Sequence, residues 1–316
     1  MSQLPGNTQE AVNLKMREES RIFKIDVVIV TRNRYSQLLE SVGALCAGVL
    51  KPTTLIIVDA SELTNKKVVD AIGDLCEKRG IRISYHKIAH KGVGYSRNVG
   101  LDAVKLPYFA FIDDDEYVPK NWLKNVTELF KKYPDIQVLA GPKIPTDRKN
   151  YWHRVWRALL EKEFGYIGPI DTLPSGNSIY LTSYIKKHSL KFDRRFKQCS
   201  EDQAFSYELR KLKTNIFFHK ILWVKHDSRR DLIPFAKQWF YYGVNKYLYH
   251  RLYLGSGSLF QPSKFFMSLR NFKKTFPYIG SLPSIDILPG IIFLNIMFLV
   301  GYLYSFTGLG KIIFPK

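Results

Sequence analysis

Residues 25–30 read IDVVIV, a short β-branched run with polar residues on both sides. Val and Ile favour extended backbone, and a largely apolar run of this length is typical of a strand buried on both faces of a parallel sheet. A helix-length segment follows at residues 35–49, and Pro52 ends it. This stretch is therefore predicted to be the first strand of an α/β sheet.

The same strand-and-helix unit repeats along the chain. Strands are predicted at residues 55–58, 81–85 and 108–112, and helices at 66–78 and 92–104 lie between them. Such alternation is typical of a Rossmann-like, mostly parallel, doubly wound sheet. In these sheets ligands bind beyond the carboxyl ends of the strands, so the polar residues that follow each strand are candidates for a functional site.

Beyond residue 115 the alternation is less regular. Residues 136–140 are predicted to form a strand, and the Pro-, Gly- and Asp-rich residues 141–147 a loop. Helix-length patterns occur at residues 119–132, 151–163, 201–213 and 233–253. We expect a lead-in at residues 1–22, an α/β domain at 23–230 with halves at 23–118 and 119–230, and a helical, hydrophobic C-terminal region at 231–316.

The chain carries 48 Lys and Arg against 28 Asp and Glu, a net charge of +20. This balance favours anionic partners, namely nucleotide phosphates, acidic lipid headgroups or nucleic acid. Residues 205–316 hold 16 basic and 4 acidic residues, so +12 of the charge lies in the last third, together with the most hydrophobic stretch. Basic residues around an apolar segment indicate a membrane surface, and no nucleic-acid partner is expected.

Residues 287–309 contain no charged side chain over 23 positions. A helix of that length spans roughly 34 Å, enough to cross the apolar core of a bilayer. Pro289, Gly290, Asn295 and Gly301 equally suit a helix that lies in the membrane interface, and a buried helix of a soluble protein is the less favoured alternative. We expect this region to contact a membrane.

Cysteine usage and the N-terminus bear on the compartment. Cys46, Cys76 and Cys199 are widely spaced and lack metal-ligand spacing, which indicates a reducing environment. Residues 1–10 are polar and lack the apolar segment of a cleaved secretory signal. We therefore expect the cytoplasmic face of a membrane, with the protein either peripheral or held by a single C-terminal membrane segment.

Residues 109–116 read FAFIDDDE, so three aspartates and a glutamate directly follow a hydrophobic strand. Adjacent carboxylates repel one another unless a cation lies among them. Carboxylate oxygens suit Mg²⁺ or Mn²⁺, which in turn bridges the oxygens of a diphosphate. The acidic run is therefore a candidate metal site, and a solvated acidic turn is the alternative interpretation.

Polar residues follow the other predicted strands as well. Thr31, Arg32, Asn33 and Arg34 follow the first strand, Asp59 follows the second, and Arg97 lies in the helix before the acidic strand. These side chains offer a hydroxyl, a carboxylate and guanidinium groups around one crevice. A nucleotide diphosphate needs such a set, because its base needs an acceptor and its phosphates need donors and a cation.

The order of these elements resembles the family 2 glycosyltransferases of the GT-A fold. The likeness rests on TRN at 31–33, DAS at 59–61, GVGYSRNVG at 92–100, FIDDD at 111–115, SGN at 175–177 and SED at 200–202. It covers roughly residues 24–230. The resemblance implies a GT-A-like domain that transfers a sugar from a nucleotide diphosphate with inversion, using Mg²⁺ or Mn²⁺.

The resemblance also implies roles for single residues. Asp202 would be the catalytic base that deprotonates the acceptor hydroxyl, although a helix N-terminal acid is its structural alternative. His226 follows a predicted strand, a position from which it would complete the metal site or contact the phosphates, although a lone His is often structural. The nucleotide would be bound by Thr31, Arg32, Asn33, Asp59, Arg97, Asp113 and Asp114, the metal by Asp113, Asp115 and His226, and the donor or acceptor sugar by Ser175, Gly176, Asn177 and Glu201.

Two departures from the family pattern narrow the expected activity. Ser175 stands where the family usually has the first Gly of a pair, a change that tightens the predicted acceptor pocket. The Gln-x-x-Arg-Trp signature of processive polysaccharide synthases is missing, because QWFYY at residues 238–242 matches it poorly. The sequence therefore favours an enzyme that adds one sugar over a polymerase.

The predicted function is transfer of one sugar, by default from a UDP-sugar, to a hydroxyl of a lipid-linked or membrane-proximal glycan. Basic and aromatic residues at 235–274 would lie near the lipid headgroups. A polyprenyl-phosphate sugar synthase is the second interpretation, since an anionic phosphate acceptor needs no general base. A non-catalytic nucleotide or nucleic-acid binder is the third, and nucleic-acid binding would weaken steeply with salt.

Overall fold

The computed structural model describes residues 23–174, 176–255 and 285–307. Its strands are β1 (Ile25–Thr31), β2 (Thr54–Asp59), β3 (Arg82–Lys87), β4 (Tyr108–Asp113), β5 (Glu116–Tyr117), β6 (Val138–Ala140), β7 (Lys143–Pro145), β8 (Ile167–Pro169), β9 (Ser178–Leu181), β10 (Ile216–His219) and β11 (Val224–His226). Its α-helices are α1 (Tyr35–Cys46), α2 (Lys66–Glu77), α3 (Val93–Ala103), α4 (Trp122–Lys132), α5 (Tyr151–Phe164), α6 (Thr182–Lys187), α7 (Glu201–Lys211), α8 (Leu232–Tyr249) and α9 (Leu288–Phe306).

The described strands form one large sheet and one small sheet. The large sheet has eight strands in the order β3-β2-β1-β4-β9-β6-β10-β8. Neighbours from β3 to β4 pair in parallel, whereas β9 and β8 run against their neighbours. The small sheet has the order β5-β11-β7. The predicted α/β fold with a mostly parallel central sheet and an apolar C-terminal helix is confirmed.

β1 is buried on both faces, as its sequence predicts. Val27 and Ile29 pack on one side with residues of α1, α2 and α4. Val28 packs on the other side with residues of α3 and α7. Each large apolar side chain removed from water in this way stabilises the fold by about 1.5–3 kcal/mol. Helices on both faces fix β1 at the centre, so the polar residues at its carboxyl end have a rigid support.

One local prediction in the second half of the chain is wrong. Residues 141–147 were expected to form a loop, but Lys143–Pro145 forms β7 and pairs in parallel with β11. A three-residue strand leaves no alternating pattern, and its partner is distant in sequence. The helix predicted at residues 233–253 is confirmed, because the α-helix Leu232–Tyr249 is followed by a π-helical turn at His250–Leu254.

The two C-terminal helices α8 and α9 lie backbone against backbone. A Cβ atom added to Gly243 would lie 1.9 Å from the carbonyl oxygen of Phe298, and one added to Gly301 would lie 2.0 Å from that of Phe240. Real Cβ atoms do not approach oxygen this closely, so both positions require glycine. The glycines therefore bring α9 into direct contact with α8.

In the described part of the chain, α9 is the one helix that is long and apolar enough to cross a membrane by length and composition. Its sides differ in their surroundings. Ile291 and Leu294 are buried in a cluster with Val155 of α5, whereas Ile292 and Ile296 are about half exposed. One side of α9 is thus packed on the protein, whereas apolar side chains on another side are about half exposed.

Replacing Gly301 with Ala should weaken the α8–α9 pair by about 1–3 kcal/mol, because the new methyl group overlaps the Phe240 carbonyl. Faster amide hydrogen exchange in α8 and α9 measures the loss. Gly43→Ala in α1 is the matched control, because its methyl would meet no described atom within 4 Å. It should leave α9 unchanged and stabilise α1 slightly. Equal exchange in the two variants would contradict the close approach.

Candidate active site

The acidic cluster lies at the carboxyl end of β4. Asp113 is the last residue of β4, Asp114 and Asp115 form the turn, and Glu116 begins β5. Asp114, Asp115 and Glu116 expose only 4%, 3% and 0% of their surface. The solvated acidic turn is therefore the wrong interpretation. Buried carboxylates require compensating charges, and these come from several parts of the chain.

Two buried cations neutralise the first and last acids of the cluster. Arg97 Nη2 lies 2.8 Å from Asp113 Oδ1. Lys143 Nζ lies 2.8 Å from Asp113 Oδ2 and 2.6 Å from Glu116 Oε1. Burial opposes ionisation of Asp113, but the charges of Lys143 and Arg97 outweigh it and hold the pKa of Asp113 well below its ordinary value. The strand β7, which sequence reasoning missed, thus supplies one cation of the site.

Asp114 and Asp115 are held by residues at the end of β1 and by β11. The Arg34 guanidinium pairs with both carboxylates, and Thr31 Oγ1 donates a 2.8 Å hydrogen bond to Asp114. His226 Nε2 lies 3.4 Å from Asp115 Oδ1. Burial raises the pKa of Asp114 to about 7. For Asp115, burial is outweighed by His226 and Arg34, which keep its pKa well below the ordinary value.

Asp115 and His226 are the donors that fit a divalent cation. Their facing atoms are 3.4 Å apart, near the ~3 Å between adjacent ligands of an octahedral ion with bonds of about 2.1 Å. His226 Nδ1 is buried and has no hydrogen-bond partner among the described residues. In the same residues no group of three His, Cys, Asp or Glu side chains surrounds one point. Among the described residues, Asp115 and His226 are therefore the candidates to hold a divalent ion.

Asp59 lies at the carboxyl end of β2, directly beside Thr31 in the register of the sheet. Its carboxylate accepts hydrogen bonds from Tyr35 Oη at 2.6 Å, Tyr85 Oη at 2.5 Å and the Ser61 amide at 2.8 Å. Burial opposes ionisation, but these hydrogen bonds outweigh it and lower the pKa of Asp59. An ionised acceptor is therefore fixed in place at the carboxyl end of β2, beside Thr31.

Arg32 and Asn33 form the outer rim beside Asp59. Arg32 Nη2 lies 2.9 Å from Glu62 Oε1, and both side chains are exposed. The Asn33 side chain also donates to Glu62, and its backbone amide donates to Ser61 Oγ at 2.7 Å. Asn33 has a φ of 56°, a left-handed conformation that Asn tolerates well. These contacts turn the chain sharply between β1 and α1.

Asn177 has a structural role in this fold. Its side chain accepts a 2.9 Å hydrogen bond from Trp122 Nε1 and donates one of 2.6 Å to the Leu222 carbonyl oxygen. Asn177 is fully buried, so these bonds tie α4 and the chain before β11 to the start of β9. Ser175, the neighbouring predicted site residue, lies outside the described residues.

Gly176 lies against the acidic cluster. A Cβ atom at this position would come within 2.5 Å of Glu116 Oε2 and 2.7 Å of Asp113 Cγ. Only glycine lets the chain pass this closely, because any side chain would push the carboxylates away from Lys143. The second glycine of the family element is therefore kept here for a steric reason.

Asp202 and Glu201 begin α7, and Arg97 links this helix start to the acidic cluster. Glu201 is buried, and its Oε1 lies 3.1 Å from Arg97 Nε, so one guanidinium joins Glu201 to Asp113. Asp202 is partly exposed, and its Oδ1 accepts a 2.8 Å hydrogen bond from the Gln203 amide. Burial raises the pKa of Asp202, against the opposing charges of Arg97 and Lys143. The Asp202 carboxylate thus accepts a hydrogen bond from a backbone amide in the first turn of α7, and its side chain remains partly exposed to solvent.

The titration of Glu201 predicts how stability changes with pH. Burial and the adjacent Asp202 carboxylate raise the pKa of Glu201 to about 7. Between about pH 4.5 and pH 7 the folded state therefore binds a proton that the unfolded state releases, so this group's contribution becomes less favourable as pH rises. Wild type should lose more unfolding free energy than Glu201→Gln between pH 5 and pH 8 in urea titrations. Equal losses of unfolding free energy in wild type and Glu201→Gln would contradict the raised pKa of Glu201.

Most of these site residues lie in a region that matches a known family. The family model described as glycosyl transferase family 2 matches residues 26–190, just over half of the 316 residues. The chain belongs to glycosyltransferase family 2. The matched region of this family 2 glycosyltransferase runs from β1 to α6 and contains Asp59, Arg97, the acidic cluster and Gly176, whereas Asp202 lies beyond it.

Two curated relatives share parts of their sequence with this family 2 glycosyltransferase. A glucosyl-dolichyl phosphate glucuronosyltransferase of Haloferax volcanii is 27% identical over 125 residues, 39% of each chain. The poly(ribitol-phosphate) β-N-acetylglucosaminyltransferase TarS of Staphylococcus aureus is 22% identical over 185 residues, 58% of this chain and 32% of TarS. The chain thus spans well under half of the length of the curated relatives that it matches.

Solved structures show the same fold. TarS residues 1–349 superimpose with a TM-score of 0.51 at 16% identity over 93% of both chains, and TarS was also solved with UDP and with UDP-GlcNAc. A mannosyltransferase of Pyrobaculum calidifontis, solved with GDP-Man and Mn²⁺, gives 0.61 at 9% identity over 94% of this chain and 95% of that chain. These likenesses confirm the predicted GT-A-like fold.

Lys143, Tyr35 and Tyr85 belong to the site, and sequence reasoning assigned none of them a role, whereas Arg34 was expected at the crevice without a specific partner. Arg34 directly follows the Thr-Arg-Asn element, so its position was a usable signal. Lys143 lies in a stretch that has the composition of a loop, and nothing local indicates its ion pairs. The two tyrosines show no pattern in sequence, because only the parallel pairing of β2 and β3 brings Tyr85 to Asp59.

Proposed function

We propose that this family 2 glycosyltransferase transfers one sugar from a nucleotide diphosphate to a hydroxyl of a membrane-proximal, lipid-linked glycan, with inversion. The placement of Asp202 carries the proposal. Asp202 is partly exposed, has a raised pKa, and feels the charges of Arg97, Lys143 and Asp113 across the crevice. A carboxylate in this position can accept a proton beside a site built for a diphosphate.

The donor occupies the carboxyl ends of β1, β2 and β4. Asp59 is the fixed acceptor for the N–H groups of the base, and Arg32, Asn33 and Thr31 line the same edge. Residues 23–118 form the nucleotide half in this proposal, and residues 119–230 form the acceptor half. UDP is the default nucleotide, which the UDP-GlcNAc complex of TarS supports, and GDP is the alternative that the mannosyltransferase supports.

Asp115 and His226 would hold Mg²⁺ or Mn²⁺ next to the diphosphate. When bound, the ion neutralises negative charge that builds up on the departing diphosphate. Asp113, the other predicted ligand, is engaged by Arg97 and Lys143, so we assign it to shaping the site. The Mn²⁺ in the mannosyltransferase structure supports a divalent ion in this fold.

The transfer is a single displacement. The acceptor hydroxyl oxygen attacks the anomeric carbon as the bond from that carbon to the diphosphate oxygen breaks, and the diphosphate keeps the bonding electron pair. The hydroxyl proton passes to the Asp202 carboxylate. Attack opposite the leaving group inverts the anomeric centre. Glu201 and Arg97 hold the start of α7 and so orient Asp202.

Two features favour a hydroxyl on a lipid-linked acceptor. Asp202 provides a base that a phosphate acceptor would not need. The Haloferax relative acts on a glucosyl-dolichyl phosphate, and TarS on poly(ribitol-phosphate). A polyprenyl-phosphate sugar synthase remains the second candidate, because its acceptor would also lie at a membrane. Family membership speaks against a purely nucleic-acid-binding role, whose affinity would fall steeply with salt.

The membrane contact is assigned to the uncovered side of α9. Ile292, Ile296, Val300 and Leu303 are exposed and recur at helical spacing, so they form one apolar stripe. The opposite side packs on α8 and α5. We infer that α9 lies along the cytoplasmic leaflet and does not cross it, because a crossing helix would carry α8 into the bilayer.

Vesicle binding tests this assignment. The protein should sediment with vesicles that contain anionic lipid, and Ile296→Asp should reduce the bound fraction strongly, because a charge enters the apolar stripe. Leu63→Asp is the matched control, since Leu63 is 83% exposed on the loop after β2, far from α9 in the chain. Equal binding by the two variants would overturn the assignment.

A donor screen tests the transferase itself. Nucleotide release is measured for UDP-, GDP- and dTDP-sugars with Mn²⁺ or Mg²⁺. One donor class should be turned over in the presence of metal, and Asp115→Ala should abolish turnover. Asp135→Ala, at an exposed acid outside the crevice, should keep it. If no nucleotide sugar binds with either metal, the proposed function is wrong.

A further inference from the structure

We propose that Arg34 is a diphosphate-binding residue that pairs with Asp114 and the metal ligand Asp115 until the donor arrives. The proposal depends on the proposed function, because it assumes a metal ion and a diphosphate at this site. Arg34 pairs with Asp114 and with Asp115, and Asp115 is one of the two metal ligands assigned above. Its guanidinium therefore supplies the positive charge that the ion would otherwise bring.

Arg34 differs from the other cations of the cluster in its exposure. The side chains of Arg97 and Lys143 expose 5% and 11% of their surface, whereas Arg34 exposes 35%. Its partners Asp114 and Asp115 expose only 6% and 4%. Arg34 therefore covers two buried acids from the solvent side, and it can leave them without unpacking the core.

Arg34 in its resting position and a bound metal ion would compete for Asp115, because each neutralises the charge of that carboxylate. Asp115 Oδ2 faces Arg34, and Asp115 Oδ1 faces His226. An ion on Asp115 and His226 would place two positive charges beside the guanidinium, which favours departure of one of them. A diphosphate that arrives with the ion offers the guanidinium new acceptors. The planar fork of Arg matches two phosphate oxygens, so Arg34 gains partners by moving.

The position of Arg34 in the fold gives it access to both partners. It follows β1 and directly precedes α1, at the carboxyl edge of the sheet where ligands of parallel α/β domains bind. The exchange predicts that the protein binds free metal weakly and binds nucleotide without metal weakly. It also predicts that bound metal raises the affinity for the nucleotide and that bound nucleotide raises the affinity for the metal. Arg34 would then link loading of the metal to loading of the donor.

Manganese binding, measured by electron paramagnetic resonance without nucleotide, tests the exchange. Arg34→Met should bind free Mn²⁺ about tenfold more tightly than wild type, because the competing charge is gone. Its affinity for UDP or GDP at saturating Mn²⁺ should fall about tenfold. Arg82→Met is the matched control. It removes an exposed arginine from the amino end of β3, whereas the site lies at the carboxyl ends of the parallel strands, so it should change neither affinity.

Arg34→Lys is a second variant, which separates the proposal from a folding defect. It keeps the positive charge of the side chain but lacks the planar guanidinium fork. It should bind free Mn²⁺ like wild type and bind the nucleotide more weakly. Free Mn²⁺ binding by Arg34→Met that equals wild type would overturn the proposal, as would unchanged nucleotide affinity. If wild type binds no Mn²⁺ even with UDP or GDP present, the metal site of the proposed function fails, a result distinct from failure of the exchange.

Discussion

Replacing Asp202 with Asn should lower the rate of sugar transfer by about 10²–10⁴-fold while the affinity for the donor changes little. The amide keeps the size of the side chain and its place at the start of α7 but cannot take the acceptor proton. Arg97 and Lys143, which act on Asp202 from the crevice, remain in place. Transfer to a hydroxyl acceptor is measured at saturating donor, and donor affinity is measured by calorimetry.

Glu208→Gln is the matched control for this change. Glu208 lies on the same helix, and its side chain is 36% exposed and pairs with Lys211 at the surface. The control should keep full activity. Near-full activity of Asp202→Asn would contradict a general base and would favour a phosphate acceptor, as in a polyprenyl-phosphate sugar synthase. The wild-type rate should also fall as pH drops through the raised pKa of Asp202, because the base must be ionised.

Replacing Arg97 with Met should lower the unfolding free energy by about 3–5 kcal/mol, the cost of leaving buried charges without a partner. Arg97 pairs with Asp113 at 2.8 Å and with Glu201 at 3.1 Å, and its side chain is almost fully buried. Met fills part of the volume between Phe111 and Phe192, so the loss is mainly electrostatic. Urea unfolding followed by circular dichroism measures it.

An exposed arginine, Arg32, provides the matched control for the loss of unfolding free energy. Arg32 pairs with Glu62 at the surface, and Arg32→Met should cost less than about 1 kcal/mol. The deficit of Arg97→Met should also shrink as pH is lowered, because Asp113 and Glu201 then take up protons. A deficit that matches Arg32→Met, or one that does not depend on pH, would mean that Arg97 does not hold the two halves of the crevice together.

The position of the site was predictable from the sequence because it follows from local patterns. IDVVIV at residues 25–30 marks a strand buried on both faces, and the alternation after it specifies a parallel sheet. Parallel strands end at the same edge, so Thr31, Asp59 and Asp113 had to lie together, and their register confirms it. Family order then added Glu201 and Asp202 from a distant part of the chain.

The charge partners were not predictable, because they depend on contacts between segments far apart in sequence. The acidic run was expected to need a cation, and a metal was the natural choice. The structure shows that the chain itself brings cations to these acids, including Arg34 and Lys143. Lys143 reaches them only because three residues of an apparent loop pair with β11. The sequence likewise does not indicate that the Asn177 side-chain amide makes structural hydrogen bonds to other segments.

The helix α8 lies between the apolar stripe on α9 and the start of α7. Its glycine contact fixes α9 on one side, and on the other side Cys199 donates to the Tyr241 carbonyl oxygen and Lys246 donates to Gln203. Packed helices are about 8–10 Å apart. With α9 docked on a bilayer, Asp202 would stand only one or two such layers above the lipid. In that arrangement the proposed acceptor would present its hydroxyl to Asp202 close to the lipid headgroups.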